Sequence, residues 1–105
     1  MTLRPLRVLL TATGAPGAAR LVRALRQNGE RELAVIGTDM SERSCGRFLC
    51  DEFHVVPRGS SDEFAPALAE LAQRAGADVV FPQSSGEVVQ LAANRELFAM
   101  PLMIA

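Results

Sequence analysis

Three short segments hold most of the side chains that could do chemistry. The first is Thr13-Gly14-Ala15-Pro16-Gly17-Ala18, which follows an apolar run and precedes an amphipathic stretch. Glycines at this spacing allow a tight turn and bring backbone N–H groups close to an anionic or polar guest at a helix start. A dinucleotide fingerprint would add a third glycine near Ala19 or Arg20, and an arginine there is expected to crowd helix–strand packing. The second is Asp39, 22 positions after Gly17. An acid at the end of a second strand can accept a ribose hydroxyl, or it can simply open a polar loop. The third is Pro82-Gln83-Ser84-Ser85-Gly86-Glu87, an amide and two hydroxyls just ahead of a helix. Glu87 lies three residues after Ser84, the spacing of a capping box.

Other reactive residue types point to no second centre. Cys45 and Cys50 are five apart and His54 is the only histidine. That spacing and count do not make a structural zinc site, so two reduced, half-buried thiols and a structural histidine are expected. No Ser–His–Asp arrangement can be assembled from the sequence.

The elements that would position these segments alternate regularly. Residues 6–11 form a continuous apolar run, as in a strand buried on both faces. From Gly17 a helix follows, with Leu21, Val22 and Leu25 inward, Arg20, Arg23 and Arg26 outward, and a left-handed cap at Asn28–Gly29. Strands are predicted over 33–37, 52–56 and 77–81, with a short helix over 44–49 capped by Ser44. A third helix, capped by Ser61 or Asp62, buries Phe64, Leu68, Leu71 and Ala72 and tolerates Pro66 in its first turn. A fourth spans 87–98 with Val88, Leu91, Ala92 and Leu97 inward, and a fifth strand starts at 101. Alternating strands and helices give an α/β, Rossmann-like three-layer sandwich with a parallel sheet of order 3-2-1-4-5. The ligand crevice is then expected between loops 13–18 and 82–87, at the switch point beside the first strand.

Composition narrows the partners. The 105 residues are read as one domain, 49% apolar, with a formal net charge of −1. Nucleic acid and anionic membranes call for a basic surface, so neither is expected as a partner. No run is long enough to cross a bilayer or serve as a signal peptide, and a cytoplasmic location is expected.

The order and spacing of VLLTATGAPGAARLVRALRQNG, VIGTDMSE and the segment from VVPRGSS through GADVVFPQSSGEVVQLAANRELF resemble the N-terminal, pre-ATP-grasp domain of ATP-grasp ligases. The resemblance is especially to ligases like the large subunit of carbamoyl phosphate synthetase. The resemblance implies a parent that uses ATP and magnesium to activate a carboxylate as an acyl phosphate, which an amine or ammonia attacks. It implies that nucleotide and metal lie in later ATP-grasp lobes, in cis or in trans. This chain, which has no lysine, would then hold no cofactor and not act as a catalyst alone. It also implies that Gly14, Ala15, Pro16, Gly17, Gln83, Ser84, Ser85 and Glu87 wall the small-molecule substrate site. Two other readings stay open: an NAD(P)-binding Rossmann domain of an epimerase or reductase, and a stand-alone assembly module. An uncovered sheet edge or face would make a homodimer reasonable.

Overall fold

The computed structural model describes residues 4–104. Four parallel strands, β1 (Leu6–Leu10), β2 (Leu33–Asp39), β3 (Glu52–Val55) and β4 (Val79–Phe81), form one sheet in the order β3-β2-β1-β4. Three helices connect them: α1 (Ala18–Arg26), α2 (Phe64–Arg74) and α3 (Ser85–Ala93). The sheet is the Rossmann-like arrangement the alternation predicts. Its fifth strand is reduced to a single parallel bridge between Val80 and Leu102, made by the Val80 N–H to Pro101 and the Met103 N–H to Val80.

Side-chain alternation along the strands sorts the core into two layers. Leu9, Ile36 and Val80 face α2 and α3, packing with Phe64, Leu68, Leu71, Ala72 and Leu91. Leu10 and Val35 face the other way, against Val22 of α1 and the half-buried Leu49 and Cys50 of the short 3-10 helix and the residue after it. On this second side the cover is thinner. A groove of about 440 Å³ opens between Leu25, the edge of β4 and the 101–103 segment, lined by Leu6, Val8, Phe81 and Met103.

Local chemistry explains the element ends. Ser44 accepts a bond from the Gly46 N–H and starts the 3-10 helix Cys45–Leu49. Gly29 and Gly76 take φ of 80° and 69° where α1 and α2 turn back toward the sheet, a region that favours glycine. Neither Ser61 nor Asp62 caps α2: its N-cap is Glu63, without a side-chain cap bond, and Ser61 Oγ accepts only the Glu63 N–H, at 3.1 Å, in the turn before the helix. The last predicted helix is shorter than its apolar pattern suggested. It stops at Ala93, and a 3-10 turn Arg95–Leu97 follows. The Asn94 amide donates back to the Gln90 carbonyl at 2.8 Å, taking up an acceptor that further helix would use. Ala92 and Leu97 are consequently exposed rather than inward, and Phe98, Met100 and Ile104 pack on the core in their place.

Candidate functional site

Thr11, the first residue past β1, joins the loops at the carboxyl edge. Its hydroxyl donates to Glu87 Oε1 at 2.6 Å and accepts the Gln83 N–H at 3.1 Å. The Gln83 side-chain amide donates to the carbonyl of Thr11 at 2.8 Å and also reaches that of Ala12. Loop 82–84 is thereby tied to the end of β1. Ala12 sits at φ 50°, an uncommon angle for a residue with a Cβ. At the head of α3, Ser84 Oγ accepts the Glu87 N–H at 3.3 Å, which is half of a capping box. The reciprocal half is missing, because the Glu87 carboxylate turns to Thr11 instead.

Glu87 is 7% exposed. Its stem packs against Gly59, where a Cβ would stand 2.8 Å from Glu87 Cγ. That contact brings the loop after β3 over the start of α3 and forms one side of a half-open cavity of about 350 Å³. Ala12, Asp39, Met40, Val56 to Ser60, Ser84, Gly86 and Glu87 line it. The cavity sits at the carboxyl ends of all four strands, where open α/β sheets hold their ligands.

The expected residues divide between this cavity and its support. Asp39, Ser84 and Glu87 line the cavity directly. Gln83 acts as a brace between loops, with its amide hydrogens used on backbone carbonyls. Ser85 is exposed at the first turn of α3 and lies outside the cavity lining. Gly14, Ala15, Pro16 and Gly17 also lie outside its lining, which meets loop 11–18 only at Ala12. Gly14 instead receives the end of β2: a Cβ there would fall 2.4 Å from Asp39 Oδ2 and 2.6 Å from Ser44 Oγ. The loop is further held by the Thr13 N–H and hydroxyl, both donating to the Thr38 carbonyl. Arg20 is exposed and crowds nothing, because the side chain that packs inward from the first turn of α1 is Ala18.

Arg58, Gly59 and Ser60 are lining residues that the sequence pattern did not single out. An arginine beside a glycine at a strand's carboxyl end was the available signal. His54 is half-buried beside Glu52. Both thiols are free. Cys45 is exposed, and Cys50 is half-buried, its thiol pushed up mainly by burial, with the Asp51 charge adding to it. Among the described residues no group of three or more His, Cys, Asp or Glu comes together as a metal site.

The family model described as PylC-like, N-terminal domain, matches residues 8–103. No curated protein matches the sequence significantly. Solved structures with the same fold include a glycinamide-RNase-transformylase T from Mycobacterium tuberculosis, 23% identical over 91% of this chain and 28% of that one, with a TM-score of 0.66. N5-carboxyaminoimidazole synthetase from Staphylococcus aureus, complexed with ADP, is 18% identical over 97% of this chain and 25% of that one, with a TM-score of 0.64. A dTDP-glucose 4,6-dehydratase from Bacillus anthracis in complex with NAD is 11% identical over 92% of this chain and 36% of its own, with a TM-score of 0.61. At these identities the likeness is one of fold. The chain spans roughly a quarter to a third of each of these proteins.

Proposed function

The chain belongs to the family of PylC-like N-terminal domains, the pre-ATP-grasp domain of ATP-grasp ligases, and we propose that it supplies the substrate-side wall of an ATP-dependent ligase joining a carboxylate to an amine or ammonia. The observation that carries this reading is the half-open 350 Å³ cavity at the carboxyl edge, bordered where Gly59 packs on Glu87. Its size suits a small molecule, and its walls come from loops after all four strands.

ATP with magnesium is the cofactor this reading gives the parent enzyme. The described residues do not fit it. The chain has no lysine to meet phosphates, and its acids do not gather into a metal-holding group. Those functions therefore fall to ATP-grasp lobes acting in cis or in trans. The role of this domain is to hold and orient a substrate opposite them. On this reading the sequence resemblance to carbamoyl phosphate synthetase would favour ammonia or a simple amine as nucleophile.

The test is ADP release by the protein combined with its ATP-grasp lobes. Turnover that needs both an amine and a carboxylate is expected, and the chain by itself is expected to give none. Turnover of such a pair by the isolated chain would overturn the division of labour. Saturable NADH binding by fluorescence would overturn the ligase reading in favour of a nicotinamide enzyme, whose fold is shared.

A further inference from the structure

The two faces of the sheet are covered unequally, and the crossovers are the cause. Parallel strands joined through a helix close right-handed. Hence α2, which returns from β3 to β4, and α3, which leads on to the 101–103 segment, fall on the same face. Both pack there against Leu9, Ile36 and Val80. The opposite face keeps α1 and the 3-10 helix, whose Val22 and Leu49 pack with Leu10 and Val35 over β1 and β2. Past β1 no described helix covers that face. The groove of about 440 Å³ is the gap: Leu6, Val8, Val79 and Phe81 form its floor, Leu25 of α1 one wall and Met103 the other. Met103 is 54% exposed.

The chemistry of the gap selects its occupant. Its floor is made of apolar side chains on strands whose backbone groups pair with one another. Such a floor offers no hydrogen bond to an incoming main chain. A helix, which pairs its own N–H and C=O groups, is the element that lies on it without loss. Placed there, a helix runs along the flank of α1, which carries Arg20, Arg23 and Arg26 and no acid. Arg26 turns toward β3, bonding Asp51 and the Leu49 carbonyl. At about 100° per residue, Arg20 and Ala24 form the row on the other side of α1, beyond Leu21 and Leu25 and next to the groove. Arg20 is exposed and, among the described residues, in no ion pair. Glu30 and Arg31 sit together at the amino-edge end of the groove and balance each other there. A second copy would offer its own α1, the helix that projects from this face, and would set arginine against arginine.

We propose that the groove seats an amphipathic helix from the remainder of the ligase, its apolar stripe on Val8, Val79, Phe81 and Met103 and an acidic flank beside Arg20. The proposal rests on the ligase reading, which supplies that remainder.

The test is oxidation of the 105-residue chain by dilute hydrogen peroxide, read by mass spectrometry at Met103, with Met40, 59% exposed at the carboxyl edge, as the reference. The probe is a synthetic peptide of about 18 residues, long enough to hold a helix, with leucines at helical spacing and glutamates along the flank. It is expected to slow oxidation of Met103 saturably and to leave Met40 unchanged. The same peptide with lysine in place of glutamate is expected to bind about tenfold more weakly. Arg20→Glu, at an exposed position, is expected to reverse that order. Leu25→Glu, checked for folding by a dispersed spectrum, is expected to abolish protection. No protection by the glutamate peptide, equal protection by the lysine peptide, or an unchanged order in Arg20→Glu would each overturn the proposal. Protection of Met103 that grows with the concentration of the chain alone would overturn it in favour of a second copy. No ATP-grasp lobe enters this titration. In the chain combined with its lobes, Met103 is expected to be protected without added peptide. Ligation with Met103 still freely oxidised would sink only this proposal, and a protected Met103 without ligation would sink only the ligase reading.

Discussion

The two edges of the sheet treat their charges in opposite ways. At the amino edge Asp78, Glu52 and Asp51 are all engaged. Asp78 takes both arms of the Arg4 guanidinium at 2.9 and 2.7 Å and the Arg7 N–H at 2.9 Å. Arg7 reaches on to Glu52 at 2.7 Å and to the Ala75 carbonyl at 2.8 Å. Asp51 accepts the Val35 N–H at 2.7 Å and pairs with Arg26. At the carboxyl edge Asp39, Arg58 and Glu87 face a cavity with no ion pair among described residues. Charges that hold strands in register are satisfied within the chain; charges left open are those a ligand can satisfy. The pKa directions agree. Hydrogen bonding from Arg4, then from the Arg7 N–H, pulls Asp78 down to about 2. The Arg7 guanidinium likewise lowers Glu52, and the Val35 N–H lowers Asp51.

Substitutions test that contrast, beginning with the largest effect. Gly46→Ala would place a Cβ 1.9 Å from the Thr13 carbonyl, a backbone atom. Such overpacking is expected to destabilise by about 3 kcal/mol, read by denaturant unfolding, because loop 13–18 must move. At the amino edge, Asp78→Ala leaves the Arg7 N–H and Arg4 without an acceptor. A loss of about 1–2 kcal/mol is expected. Its pH signature follows from the depressed carboxyl: the stabilisation is complete above the unfolded value near 3.8 and is lost as pH falls through about 2. Acid unfolding of the wild type should therefore lie at lower pH than that of Asp78→Ala; coincident curves would break the contrast. Ala12→Gly relieves the positive φ and is expected to be neutral or to stabilise by about 0.5 kcal/mol, seen as a small rise in thermal midpoint. Smallest of all is Arg58→Ala, exposed and unpaired, which should change stability by less than about 0.5 kcal/mol. A large loss there would mean that the carboxyl edge is structural after all.

Much of this was legible in residue order. The buried runs, the helix faces of α1 and α2, the glycine stops and the Ser44 cap all follow from local patterns that tertiary packing did not oppose. The last helix was read too long because Ala92 and Leu97 keep helical spacing, while the bond from the Asn94 side chain that ends it is invisible to periodicity. The site was legible in its loops and not in its centre. Glycines in loop 13–18 signal backbone approach, but the group approaching is the chain's own Asp39 and Ser44. Glu87 read as a cap partner because Ser84 is three residues away; its partner Thr11 is 76 positions distant. The 57–60 loop enters the cavity only because Gly59 lets Glu87 lie beneath it, a long-range fit that no local pattern records.

The Arg7 clamp also has a kinetic meaning. Its bonds to Glu52, Ala75 and Asp78 bridge 45, 68 and 71 positions, so none can form until β3, α2 and the approach to β4 are in place. Contacts across such long loops tend to close late in folding. Loosening the clamp should therefore leave the refolding rate almost unchanged and appear as faster unfolding. In that sense Arg7 acts as a latch on the finished sheet, setting how long the fold lasts more than how quickly it is found.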